Sequence, residues 1–294
     1  MISVKEYAYA KINLYLDVIS KRDDGFHDIS TVMHTVSLCD ELTVSVRRSD
    51  KTSVRLTVSG QTKLPTDSRH LAVRAAESFL SATLIGAEVD IRLKKNIPGA
   101  AGLAGGSSDA AAVLRALNRA FKRPLTEKRL LELAAELGSD VPYCLIGGTA
   151  LCGGRGERME RLNNGLDLDF VVAVADEWVS TPMAYAELDR IFDDFKVDRD
   201  NAHTAALDSA LSSATTGDLP KDELYNIFES AVFKTCSGAE SIKARMYELG
   251  ATHALMSGSG PSVFGIFENK ASAERARDLL SESGIRAYYA KTVR

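Results

Sequence analysis

The segment Pro98-Gly99-Ala100-Ala101-Gly102-Leu103-Ala104-Gly105-Gly106-Ser107-Ser108-Asp109-Ala110-Ala111 constrains this chain more than any other. Glycine reaches positive φ and lets a backbone come close to a ligand. Immediately downstream, Ala111, Leu114, Leu117 and Phe121 recur at helical spacing, so a helix is expected to start near Ser107. The first amide groups of a helix lack partners within it, and its dipole is positive there. A glycine loop that opens a helix is therefore an anion site, most naturally for phosphate. Ser107 and Ser108 add hydroxyl donors. The alternative is a tight turn with Ser107 as the N-cap. The loop is not a Walker A motif, which needs a Gly-Lys pair that the chain does not contain, and it is not a dinucleotide G-x-G-x-x-G fingerprint.

A second pattern lies near the start. Ala10, Ile12, Leu14, Leu16 and Val18 alternate with Lys11, Asn13, Tyr15 and Asp17, which predicts a half-buried strand carrying Lys11 and Asn13 together on its other face. Further strands are expected around Leu42–Val46, Val54–Val58 and Val89–Leu93, with a helix from about Ser68 to Leu80 between them. Another helix covers Glu127 to Leu137 and stops at Gly138. A second glycine cluster runs from Gly147 to Gly156. Asn163-Asn164-Gly165 is a turn signal and marks a domain boundary, giving domains 1–162 and 163–294. Beyond it the pattern predicts a buried strand at Phe170–Ala175 and a helix end with a loop from Asp208 to Lys221. A glycine turn and strand follow over Met256–Phe267, then a helix at Ala271–Ser283 and a strand at Ala287–Val293. Such a mixture is α+β and not a regular βαβ array.

Composition narrows the function classes. The chain has 294 residues, 45% hydrophobic and 26% charged, which suits a globular protein with a sizeable core. A net charge of −4 with interspersed signs gives no basic field for nucleic acid. Pairs such as Arg47-Arg48 and Lys94-Lys95 read as solvated strand ends. Cys39, Cys144, Cys152 and Cys236 form no CxxC pair or metal-ligand spacing and read as isolated thiols suited to a reducing cytoplasm. No apolar run approaches the ~20 residues of a membrane helix, and no signal pattern opens the chain. The expectation is a cytoplasmic protein, monomer or weak homodimer, with a small-molecule substrate, no nucleic acid and no membrane.

Pro98 to Ala111 resembles the second motif of the GHMP kinases, the superfamily of galactokinase and the homoserine, mevalonate and phosphomevalonate kinases. Ala10-Lys11-Ile12-Asn13-Leu14-Tyr15-Leu16 resembles the first motif, and Met256-Ser257-Gly258-Ser259-Gly260-Pro261-Ser262-Val263-Phe264 the third. Within the superfamily, Lys21-Arg22-Asp23-Asp24-Gly25-Phe26-His27 with Thr31-Val32-Met33 resembles the cytidine-binding region of the diphosphocytidyl-methylerythritol kinases. Gly138-Ser139-Asp140-Val141-Pro142-Tyr143 and Gly153-Gly154-Arg155-Gly156-Glu157 resemble their catalytic region. Three departures stand out: Ala104 where glycine is common, Phe26 where tyrosine is common, and His70 where asparagine is common.

The resemblance implies a two-domain α+β GHMP kinase fold, with a ribosomal protein S5 domain 2-like N-terminal domain and a ferredoxin-like C-terminal domain. It implies transfer of the γ-phosphoryl group of ATP, with Mg²⁺, to the 2-hydroxyl of 4-diphosphocytidyl-2-C-methyl-D-erythritol on the non-mevalonate route to isoprenoid precursors. Asp140 would be the general base and Lys11 its cationic neighbour, which keeps the carboxylate ionised and stabilises charge on the phosphoryl group. Residues Pro98 to Ser108 would hold ATP, with Ser107 as a metal ligand. Asn13, Phe26, His27, Tyr185, Gly258 and Ser259 would bind substrate, His27 reading the edge of cytosine and Phe26 and Tyr185 covering its faces. Read from the residues alone, Asp140 is also a turn residue, Lys11 a solvated charge, and Gly258–Ser259 a strand-entry turn. A kinase for homoserine or mevalonate would share the loop without needing Phe26 and His27. A non-catalytic nucleotide sensor on the same scaffold is the remaining alternative.

Overall fold

The computed structural model describes residues 1–60, 64–162, 165–195 and 224–293. The stretch expected as a helix end and loop, Asp208 to Lys221, and the Asn163-Asn164 turn lie outside the described residues. The chain divides into two compact units: residues 1–10, 39–99 and 104–146 in the first, and 11–38, 100–103 and 147–294 in the second.

In the first unit, β1 (Ile2–Lys21) contributes its opening residues and β2 (His27–Arg48) its last ten. Antiparallel to that end of β2 runs β4 (Ala87–Lys95), and β3 (Ser53–Gly60) lies parallel to β4. Strand β4 alternates strictly: Ala87, Val89, Ile91, Leu93 and Lys95 are buried, and the residues between them are not. Four helices complete the unit: α1 (Leu71–Thr83), α2 (Gly105–Ala120), α3 (Glu127–Leu137) and α4 (Val141–Ile146). Helix α2 packs against α1, α3 and α4 and is buried over most of its length, as its run of alanines permits. Thr126 caps α3 by accepting the Arg129 amide, and the helix stops at Gly138 as expected.

In the second unit, the rest of β1 and β2 pair with each other; β1 also pairs with β8 (Tyr225–Asn226), and β2 with β5 (Thr149–Gly154), which pairs in turn with β6 (Arg158–Arg161). A separate antiparallel sheet has the order β11 (Arg286–Lys291), β7 (Asp169–Val174), β10 (Ser262–Phe267), β9 (His253–Met256). This is the ferredoxin-like order. Helices α7 (Ser237–Glu248) and α8 (Lys270–Glu282) pack on this sheet. Helix α5 (Thr181–Ile191) and the short α6 (Glu229–Val232) join the same core, through Ala184 and Leu188 of α5 against Phe228 and Val232. The sequence reading missed α4 to α7.

Three expectations need correction. The β1 strand is not half-buried: from Ala10 to Val18 both faces are covered, and Lys11 and Asn13 are 5% and 2% exposed. The solvated reading of Lys11 therefore fails. Helix α2 starts at Gly105, two residues before Ser107, and its N-cap is Ala104 with no side-chain cap. Ser107 is inside the first turn and is not the cap. Lys95 is not a solvated strand end, because it continues the buried parity of β4; Lys94 alone faces out, paired with Glu41.

Candidate active site

Phosphate chemistry needs unpaired donors and cationic charge held without solvent. In the first unit the end of the glycine loop supplies the amide donors of a helix start. Ala104 sits in the left-handed region with φ 55°, and α2 begins immediately after it. Gly106 is exposed and Ser107 half-buried at the head of this helix, with no acidic residue in its first turn. Ser108 is buried, and its hydroxyl donates to the Tyr9 carbonyl at 2.5 Å, so its proton is committed to the fold. Pro98 is buried and Gly99 exposed.

Beneath Gly105 lies a charged group that the sequence reading did not find. The Lys95 ammonium pairs with Asp40 and, at 2.8 Å, with Asp109 of α2; all three side chains are buried. A Cβ on Gly105 would stand 3.3 Å from the Lys95 ammonium. Asp40 also accepts the Asn96 and Ile97 amides at 2.6 and 2.8 Å. Burial pushes the Asp109 carboxyl well above the usual range, against the pull of Lys95, and its Oδ1 has no hydrogen-bond partner among the described residues. The parity of β4 was the signal for Lys95. Nearby, His70 caps α1 by accepting the Ala72 amide on Nδ1, and burial followed by the Lys95 charge lowers its pKa. Asp140 also belongs to this unit. It is half-buried at the turn between Gly138 and α4, and its carbonyl accepts the Cys144 amide.

The second unit holds Lys11. Its ammonium donates to Asn13 Oδ1 at 2.8 Å, and the same oxygen accepts the Gly258 amide at 2.9 Å. Asn13 Nδ2 donates to Thr31 Oγ1, whose hydroxyl donates on to the Tyr15 carbonyl. Asn13 thus ties the strand to the Gly258–Ser259 turn. Asn226 holds the turn from the other side, donating to the Met256 and Gly258 carbonyls. Ala100 to Leu103 of the glycine loop lie here too: the Lys11 amide donates to the Leu103 carbonyl, and the Ser257 hydroxyl to the Gly102 carbonyl. Gly102 must be glycine because a Cβ would overlap the Ser257 carbonyl, and its φ is 75°. At Gly258, φ 57°, a Cβ would reach within 3.5 Å of the Lys11 ammonium. Two backbones meet here at a distance that a side chain at Gly102 would forbid, with the Lys11 ammonium beside them. Ser259 is half-buried and bonded to Thr181 at 2.7 Å.

The same unit gathers the expected base-reading residues. Phe26 is 53% exposed, with the Arg155 guanidinium 4.8 Å over its ring. His27 is buried, stacked on Tyr185 at 4.7 Å and edge-on to Phe195 at 5.9 Å. Its Nε2 lies 2.7 Å from Asp189, a residue that sequence reasoning passed over. Burial pushes the Asp189 carboxyl up, but hydrogen bonds from Lys21 and His27 outweigh it and leave the group below the usual range. Among the described residues no group of three or more His, Cys, Asp or Glu side chains converges as a metal cage.

Comparison with known proteins agrees with this geometry. The model for the GHMP kinases N terminal domain matches residues 70–148, and that for the GHMP kinases C terminal matches residues 210–286. The 4-diphosphocytidyl-2-C-methyl-D-erythritol kinase of Caldicellulosiruptor saccharolyticus is 41% identical over 273 residues, covering 93% of this chain and 91% of that protein. A crystal structure of a 4-(cytidine 5'-diphospho)-2C-methyl-D-erythritol kinase superposes with a TM-score of 0.79 at 33% identity, covering 98% of each chain. A homoserine kinase structure from Cytophaga hutchinsonii, at 21% identity and a TM-score of 0.72 over 99% of this chain and 94% of that one, shares the fold. The fold is thus the two-domain α+β GHMP kinase fold, and the chain belongs to the 4-diphosphocytidyl-2-C-methyl-D-erythritol kinase family.

Proposed function

We propose that this chain performs its family's reaction, moving the γ-phosphoryl group of ATP to the 2-hydroxyl of 4-diphosphocytidyl-2-C-methyl-D-erythritol, and that Lys11 and Asp140 carry it. The observation that supports this most directly is the Lys11 cradle: a buried ammonium fixed by Asn13 beside two glycine backbones. Phosphoryl transfer asks mainly for positioning and charge stabilisation. Lys11, held by Asn13, offers a cation that need not reorganise as charge develops on the transferring group. Asp140 takes the proton of the substrate hydroxyl. The nucleotide phosphates lie along Pro98 to Ser108, with the free amide groups at the head of α2 turned to them.

The donors here fit Mg²⁺ that is bound chiefly by nucleotide oxygens and water. Ser107, half-buried in the first turn of α2, is the protein oxygen that would hold it. When bound, the ion neutralises charge on the phosphate oxygens. For the cytidine, exposed Phe26 offers a stacking face, His27 a polar edge, and Tyr185 and the Gly258–Ser259 turn line the same unit. Functionally the chain divides at 162/163. The first part carries the proposed phosphate loop and catalytic pair, and the second carries Tyr185 and the Gly258–Ser259 turn. The proposed setting is the cytoplasm, with the chain acting as a monomer or weak homodimer on a small molecule.

The test is ADP release with ATP and Mg²⁺, offering the diphosphocytidyl substrate, homoserine and mevalonate in parallel. Turnover with the first alone is expected, and it should vanish in Asp140→Asn while ATP binding survives. Turnover with homoserine or mevalonate instead would overturn the cytidine reading; near-normal turnover by the variant would remove Asp140 as the base.

A further inference from the structure

Resting on the cytidine reading above, we infer that Asp189 is a positioning residue that fixes the tautomer of His27, and through it selects cytosine over uracil. His27 has two distinct ring nitrogens, and the proton position of a neutral imidazole follows from what each nitrogen faces. A carboxylate only accepts. Asp189 Oδ1, 2.7 Å from Nε2, therefore requires the proton on Nε2. In the neutral ring the lone pair is then on Nδ1, which has no hydrogen-bond partner among the described residues.

The carboxylate is itself held. Its second oxygen pairs with Lys21 at 2.9 Å, so Asp189 bridges a lysine and a histidine that are six residues apart on β1 and β2. The ring plane is also set. Tyr185 stacks on one face of His27, and Phe195 meets its edge. Tyr185 and Asp189 are four residues apart on α5, hence neighbours on one side of that helix. One helix turn thus grips His27 twice, by its face and by one nitrogen.

An accepting Nδ1 matches cytosine and mismatches uracil. Cytosine presents an exocyclic amino donor where uracil presents a carbonyl acceptor. Two acceptors brought together leave both unpaired, and a buried group left unpaired costs more than the bond gained by a match. If the proton moved to Nδ1, the preference would reverse. The discrimination therefore sits one residue away from the base, in a side chain that need not touch the substrate.

Two measurements on the whole protein test this. First, kcat/KM is compared for the cytidine substrate and its uridine diphosphate counterpart in the wild type and in Asp189→Ala. The cytidine-to-uridine ratio should fall by roughly tenfold or more, mainly through KM for the cytidine compound. A merely structural role would lower both substrates by one factor and leave the ratio unchanged, which would overturn the proposal. Second, ¹⁵N correlation spectra of histidine-labelled protein, with His27 assigned through His27→Gln, should show Nε2 protonated and Nδ1 bare in the wild type. In Asp189→Ala the signals should shift towards a mixture of tautomers. A wild-type Nδ1–H form, or identical spectra in both proteins, would refute the assignment. If the wild type turned over neither nucleotide substrate, the proposed function would fall, while the spectra would still decide what Asp189 does to His27.

Discussion

Lys95 is the residue whose position says most about how the glycine loop is carried. A buried ammonium costs several kcal/mol unless it is paired, and here two carboxylates answer it. They are not equivalent. Asp40 also receives two backbone amides, so its charge is satisfied from three directions. Asp109 shares the lysine, has one oxygen without a hydrogen-bond partner among the described residues, and is pushed towards its neutral form by burial. The group therefore behaves as one firm ion pair with a second, easily protonated carboxyl beside it. Lys95→Met should cost about 3–5 kcal/mol, because it leaves Asp40 buried without its cation. Asp109→Asn should cost about 1 kcal/mol or less, since it replaces a group already driven towards neutrality. Urea midpoints at pH 7 compare the two. Equal losses would mean that both carboxylates are full partners of the lysine.

At the scale of elements, the junction between the glycine loop and α2 holds a strained backbone position. Ala104 adopts φ 55° as the N-cap of α2, a conformation that costs an L-residue roughly 1–2 kcal/mol and glycine almost nothing. Ala104→Gly relieves that strain and loses about 0.4–1 kcal/mol through the freer unfolded chain. The expected net gain is about 0.5–1 kcal/mol, read as a higher urea midpoint with an unchanged slope; a loss would mean that Ala104 makes packing contacts worth more than its strain. The same junction shows what was legible in the sequence. The loop, α3 and its stop at Gly138, the β7 and β10 strands and the α8 helix all carry strong periodicity or punctuation, and the structure has them. Helix α5 carried a start signal in Ser180-Thr181-Pro182, which went unread because its buried stripe is only Ala184 and Leu188. Helix α7 buries just Ala239, Ile242 and Met246, too few for the period to stand out. For the site, motif spacing brought out Lys11, Asn13, His27 and the Gly258 turn, because they lie in contiguous motifs. Asp189 and Asp40 did not show, because a carboxylate acquires its meaning from a partner 162 or 55 residues away.

For the molecule as a whole, the contact that spans most of the chain also sets its response to acid. His34 is buried between Thr149 and Thr292, with Nδ1 2.8 Å from one hydroxyl and Nε2 3.0 Å from the other. Thr292 lies 258 residues away in sequence, and its hydroxyl also accepts the Leu168 amide. Around it, Val36 bridges Thr292 and the Val293 amide donates to Thr35, so the end of the chain is stitched to β2 within the second unit. A neutral imidazole donates from one nitrogen and accepts at the other, a pairing that two hydroxyls can match. Burial pushes the His34 imidazole down from 6.5 to about 4. A folded pKa below the unfolded one means that the unfolded chain takes up the proton first. The stabilisation is therefore fully present above pH 6.5 and is lost as pH falls from there to about 4. The interval corresponds to about 3 kcal/mol. Urea midpoints measured from pH 7 to pH 4 should fall steeply in the wild type. In His34→Gln, which has no proton to take up, the starting stability should be lower and the decline shallower by about that amount. Parallel curves would place the acid sensitivity elsewhere, because only a group that titrates differently in the two states can bend the profile.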